Sequence, residues 1–113
     1  MTNLERLKME CAGINLTDDK LSIYLEENDL TANDEYAPSS KTNKKNILKT
    51  ALSILESIAN NIDNMKNYKT DDMSISQFSE NLNNRIDALD RKIRLIPSDE
   101  GFTDGASFIY IFK

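Results

Sequence analysis

Cys11, pairs of neighbouring carboxylates and a run of lysines are the residues of this chain whose types could do chemistry. A thiolate can attack an electrophile, paired carboxylates can move protons or hold a hard cation, and lysines can hold anions. Histidine is absent, which removes imidazole-based triads and the commonest zinc ligand. Cys11 therefore has no histidine to activate it, and it falls on the apolar stripe of a predicted helix. It reads as a small core residue. With a single cysteine, no internal disulfide can form, which fits a reducing cytoplasm. Among the acid pairs are Asp18-Asp19, Glu26-Glu27, Asp71-Asp72 and Asp99-Glu100. Adjacent residues on a helix diverge by about 100°, and none of these pairs has the alternating spacing of a calcium loop. They read as helix caps and solvated faces. The glycines at 13, 101 and 105 are scattered, so no phosphate-cradling loop exists. No catalytic residue, metal site or cofactor is expected, and the chain does not read as an enzyme.

The lysines Lys41, Lys44, Lys45 and Lys49 need more thought. They crowd the start of a predicted helix, where positive charge opposes the helix dipole by ~0.3–1 kcal/mol per group at most. They are either a solvated helix start or a contact for an acidic surface. That surface is the acidic 18–35 region of a neighbouring copy or a nucleic-acid backbone. Charge is uneven along the chain: residues 1–37 carry three basic and nine acidic side chains, 38–70 six and two, 71–113 five and eight. The total of −5 argues against duplex binding, whose affinity comes mainly from Lys and Arg displacing counterions.

The elements that must position these groups are legible from periodicity and caps. Thr2 and Glu5 have capping-box spacing, Leu4, Leu7 and Cys11 form an apolar stripe, and Gly13 offers a left-handed stop. A second helix opens at Thr17 with Asp18 and Asp19 in its first turn. Leu16 and Leu21 are placed as a hydrophobic staple, and Leu21, Tyr24 and Leu25 supply the buried face. It ends near Glu27-Asn28. Residues 31–43 read as a short turn or one helical turn and then a linker, with Pro38 and a Ser-Ser-Lys-Thr-Asn run, the most mobile segment expected.

The third helix runs from about Thr42 to Asn61. Its stripe of Ile47, Leu48, Ala51, Leu52, Leu55, Ile58, Ala59 and Ile62, with Ile54 beside it, is wide enough to face two neighbours. Residues 65–75 read as a loop with one short extended piece. The fourth helix is the best written. Phe78, Leu82, Ile86, Leu89, Ile93 and Ile96 recur at helical spacing, Ser74 or Ser76 caps it, and Pro97 closes it. After turn-rich residues 98–107, Phe108–Phe112 is aromatic and β-branched, a strand-like pattern. That run is too short to span a bilayer, and the first residues do not form a secretory signal.

The order of these elements is similar to that of a known family. The chain opens on Leu-Glu-Arg-Leu-Lys, has a short helix from Thr-Asp-Asp-Lys-Leu to Glu-Glu-Asn, and an acidic Asn-Asp-Glu-Tyr hinge. A long Ala/Leu/Ile helix, a linker and an Arg/Ile helix ending at Pro97 follow. Over residues 4–97 this resembles the small head–tail connector, or adaptor, proteins of tailed phages and prophages. The resemblance implies a helical, non-catalytic subunit of a homo-oligomeric ring beneath the portal. Such a ring extends the DNA channel and docks later connector or tail proteins, with DNA only as passing cargo. It implies location in the virion at the head–tail junction, after assembly in the bacterial cytoplasm. It also gives Phe102, Phe108, Ile109, Tyr110, Ile111 and Phe112 a role in gripping the portal.

The expected fold is a mainly α antiparallel bundle of four helices, two short and two long. Residues 1–97 form the connector-like domain and 98–113 an extended, strand-like C-terminal arm. The expected subunit–subunit contact pairs Asp18, Asp19, Glu26 and Glu27 of one copy with Lys41, Lys44, Lys45 and Lys49 of the next. No membrane or small-molecule substrate is expected. One rival is a small regulatory or antitoxin-like helical protein that binds one protein partner through its Phe78–Ile96 helix. Another is a nucleic-acid module using Lys41–Lys49 and Arg85–Arg94.

Overall fold

The structure, a computed structural model, describes residues 1–61, 67–69 and 74–97. Four helices make up the described residues: α1 (Asn3–Glu10), α2 (Asp18–Glu27), α3 (Lys41–Ala59) and α4 (Ile75–Leu95). No strand is present among those residues, and a single antiparallel bridge joins Thr2 to Glu35. The mainly helical, four-helix expectation holds, two helices short and two long. The C-terminal arm, the Ile62 end of the α3 stripe, and Thr70 and Met73 of the predicted extended piece lie outside the described residues.

Local chemistry starts each helix where a side-chain oxygen can take an orphan N–H. Thr2 forms the capping box: its hydroxyl accepts from the Glu5 N–H at 3.2 Å, and the Glu5 carboxylate accepts from the Thr2 N–H at 2.8 Å. That backbone hydrogen bond holds the Glu5 carboxyl below its usual range. Thr17 caps α2 by accepting from the Lys20 N–H at 3.4 Å. Ser40 caps α3 by accepting from the Asn43 N–H at 3.1 Å. At α4 the open choice falls to Ser74, because Gln77 lies three residues on and completes a second capping box at 3.2 and 3.4 Å.

The end of α2 is built from an unexpected residue. Asp29 adopts φ 64°, the left-handed conformation glycine usually supplies. The Asp29 N–H donates to the Glu26 carbonyl at 3.2 Å and the Leu30 N–H to the Leu25 carbonyl at 2.9 Å, the paired bonds of a Schellman motif. Asn28 adds a side-chain bond to the Tyr24 carbonyl at 2.9 Å. Short polar side chains such as aspartate tolerate this conformation better than most.

Around α3 the other three helices collect. It contacts α1, α2 and α4, and α1 contacts α2. Its residues Ile47, Leu48, Thr50, Ala51, Ile54, Leu55 and Ile58 are buried. Ile54, placed beside the stripe by periodicity, is wholly buried, whereas Leu52 is only partly so. Three packing partners turn the stripe into a wide arc. Thr50 sits in this core without an orphan hydroxyl, donating to the Asn46 carbonyl at 2.7 Å. The α4 stripe packs into the same core through buried Phe78, Leu82 and Leu89, with Ile86, Ile93 and Ile96 against it.

The short turn expected early in residues 31–43 is present, and hydrogen bonds tie it down where a mobile segment was expected. The Asn3 and Leu4 N–H groups, orphans at the start of α1, donate to the carbonyls of Asp34 and Ala32 at 2.9 and 3.0 Å. The Tyr36 N–H donates to the Met1 carbonyl at 2.9 Å, and the Tyr36 side chain is buried. Asn3, 3% exposed, donates its amide to the Thr31 carbonyl and accepts from the Asn43 amide at 3.1 Å. The Asn43 oxygen in turn accepts from the Ala37 N–H at 2.8 Å. Residues 31–37 are therefore laced to α1 and α3. Loop composition in that segment reflects turn geometry and hydrogen bonding, not looseness.

Candidate functional site

Cys11, the chain's one thiol, follows the last turn of α1 and is 5% exposed. Burial pushes its pKa up to about 11, against a smaller lowering by the Arg85 guanidinium. At neutral pH it stays protonated, and a thiol is a far weaker nucleophile than a thiolate. Its place is in the core with Leu7 and Leu21. Among the described residues no group of three Cys, Asp or Glu side chains converges as a metal site would require.

The charged residues singled out in the sequence divide between two ends of α3. Lys41, Lys44 and Lys49 are exposed and Lys45 half-exposed on its N-terminal half. Glu26 and Glu27 are exposed at the end of α2. Glu27 lines a cavity of about 340 Å³ together with Ser57, Ile58 and Asn61, at the opposite end of α3. At 1.5 Å per residue, Lys44 and Asn61 lie ~25 Å apart along the helix. The acidic and basic groups are thus held apart within one chain. Asp18 differs from the rest: its carboxylate pairs with Lys8 at 2.9 Å within the chain. Asp19 is exposed beside it in the first turn of α2. The candidate portal contacts Phe102 and Phe108–Phe112 lie outside the described residues.

A trough between α1 and α4 was not visible in the sequence. Leu48 of α3 lines a cavity of about 380 Å³ with Leu95 of α4 and Ile96 just after it, while Arg6, Lys44 and Lys92 supply its cations and Glu10 its carboxylate. A second cavity of about 260 Å³ shares Glu10 and Lys92 and continues past Met9 and Leu89 to Arg85. Arg6 is held in place: it pairs with Glu10 at 3.0 Å and its guanidinium lies 5.5 Å from the centre of the Tyr36 ring. Lys44 and Lys92 reach no carboxylate among the described residues. Leu95 is 81% exposed, a large apolar group facing water at the rim.

Arg85 closes the far end. Its guanidinium donates to the Ala12 carbonyl at 3.0 Å and to the Glu10 carbonyl, satisfying the last turn of α1 from another helix. Gly13, with φ 85°, turns the chain after that. The residue read as part of a nucleic-acid patch is thus partly spent on structure. Alternating basic residues on α4 gave no hint of this, because the partner carbonyls lie more than seventy positions away.

No helix among the described residues is long and apolar enough to cross a membrane. Compared with known protein families, characterised proteins and solved structures, the chain matches none.

Proposed function

We propose that this chain is a non-enzymatic structural adaptor, a head–tail connector subunit of a tailed phage or prophage that assembles as a ring under the portal. The observation that carries the reading is the separation of Glu27, which lines a cavity with Ser57 and Asn61, from Lys41, Lys44 and Lys45 in the first turns of α3, with Lys49 midway along the helix. A ring is built from a heterologous contact, in which one surface of a subunit meets a different surface of the next. Two patches of opposite sign, too far apart to neutralise each other inside one chain, are what such a contact uses. A buried, protonated Cys11 fits a subunit that carries no chemistry. The resemblance in element order supplies the phage context, and the aromatic residues Phe102 and Phe108–Phe112 are the proposed portal grip.

Light scattering on size-separated chain, alone and with the portal protein encoded in the same genome, tests the reading. A multi-copy assembly that forms alone or on the portal supports it. A strict monomer that ignores the portal removes it. The antitoxin-like rival predicts a compact dimer or one-to-one complex in the same experiment.

A further inference from the structure

We infer that the trough between α1 and α4 is the docking site for residues 99–104 of the same chain, Asp-Glu-Gly-Phe-Thr-Asp. The trough offers Leu48 and Ile96 at its floor and Leu95 at its rim, beside three cations and one carboxylate. On a chain of net charge −5 that is a local excess of positive charge. Lys44 and Lys92 have no acidic partner among the described residues, and exposed Leu95 has no cover there. An occupant must bring carboxylates spaced around an apolar group.

The next stretch of this chain has that chemistry. Ile96 lines the trough, and two residues beyond Pro97 come Asp99 and Glu100, then Phe102, then Asp104. The carboxylates match Lys44 and Lys92, and the Phe102 ring matches the apolar floor. Reach is sufficient. From Ile96 back to Arg85 the trough extends ~17 Å along α4, about the span of five or six extended residues. A segment tethered beside its site is present at high effective concentration, so modest contacts suffice to hold it. Phe108–Phe112 lies beyond the docked stretch and stays available to a partner, whereas docking withdraws Phe102 from the proposed portal grip and Lys44 from the proposed subunit contact. The inference does not rest on the connector reading, since it concerns the isolated chain.

The chain contains no tryptophan, so Phe102→Trp introduces a single reporter. At dilutions where light scattering gives the mass of one chain, the indole should emit blue-shifted and resist acrylamide. Adding Lys44→Glu and Lys92→Glu should shift emission toward that of free indole and raise acrylamide quenching several-fold, with the helical circular dichroism unchanged. If those reversals unfold the chain, raising salt on Phe102→Trp alone should produce the same red shift. Three results overturn the inference: water-like emission from the starting variant, emission indifferent to charge reversal and salt, or a blue shift that appears only as chains associate. The last would place the segment on a second copy.

Discussion

The two sides of α1 are closed in opposite ways. Toward residues 31–43 and the start of α3, the Asn3 and Leu4 N–H groups, the Asn3 amide and the Asn43 amide each donate to an acceptor within the fold. Toward α4, a trough with an apolar floor and a cationic rim runs between the helices, and Arg85 bridges them only at one end. The first side is a seam, where buried polar groups must be satisfied and so fix a unique arrangement. The second is a surface. Polar satisfaction is specific and finished within the fold, whereas exposed apolar area with unopposed charge invites a further occupant.

The largest expected effect tests the core beneath α1. Cys11 has a folded pKa raised from 9.0 to about 11 by burial, so the folded state holds the proton more tightly. The sign follows: its contribution is whole below pH 9 and is lost as pH rises toward 11, amounting to roughly 2–3 kcal/mol at about 1.4 kcal/mol per pH unit. Urea unfolding of the parent and of Cys11→Ala across that range should converge in difference by this amount, since other groups titrate equally in both. Native-state alkylation of Cys11 at neutral pH should be slow and accelerate on unfolding.

Next comes the seam itself. Asn3→Ala leaves the Asn43 amide and the Thr31 carbonyl short of a partner in a buried site, which costs about 1–3 kcal/mol. Hydrogen exchange should also quicken at Ala37, whose N–H depends on Asn43. Equal stability with unchanged exchange would mean that residues 31–37 are held by something other than this network.

Smaller still, and of opposite sign, is Asp29→Gly. A left-handed conformation at φ 64° strains any residue with a Cβ, while glycine costs more entropy in the unfolded chain. The expected net gain is about 0.5–1 kcal/mol in thermal or urea unfolding. On the open side, Leu95→Ser should change stability by less than about 0.5 kcal/mol, because the side chain is 81% exposed. A loss comparable to that of Asn3→Ala would show that the trough is as much a part of the fold as the seam.

Sequence reasoning reached whatever is encoded within one turn of helix. The boxes at Thr2 and the cap at Thr17 are signals three residues long, and the α3 and α4 stripes are periodicities. The Ser74 cap needed only the position of Gln77. Bonds between distant residues were out of reach: the Asn3–Asn43 amide pair spans forty positions, and nothing in a run of asparagines distinguishes a buried one. The turn early in residues 31–43 was legible, but the mobility expected there was misjudged for that reason. Asp29 was missed because glycine is the usual signal for a left-handed cap, and here aspartate takes the place. The trough was illegible because its walls come from α1, α3 and α4, and only their packing brings Lys44 beside Lys92. For the charged patches, residue types were readable, but their separation along α3 was not.

Reversing each patch in turn is the most direct test of neighbour-to-neighbour assembly. One variant, Lys44→Glu with Lys45→Glu and Lys49→Glu, leaves only Lys41 against three carboxylates and so makes both patches acidic; the other, Glu26→Lys with Glu27→Lys, makes both basic. Light scattering in the presence of the portal should find neither assembling alone and the equimolar mixture assembling, because acidic and basic copies can then alternate around the ring. Assembly of either variant by itself to the parent's mass, or a mixture that stays dispersed while the parent assembles, would contradict the account.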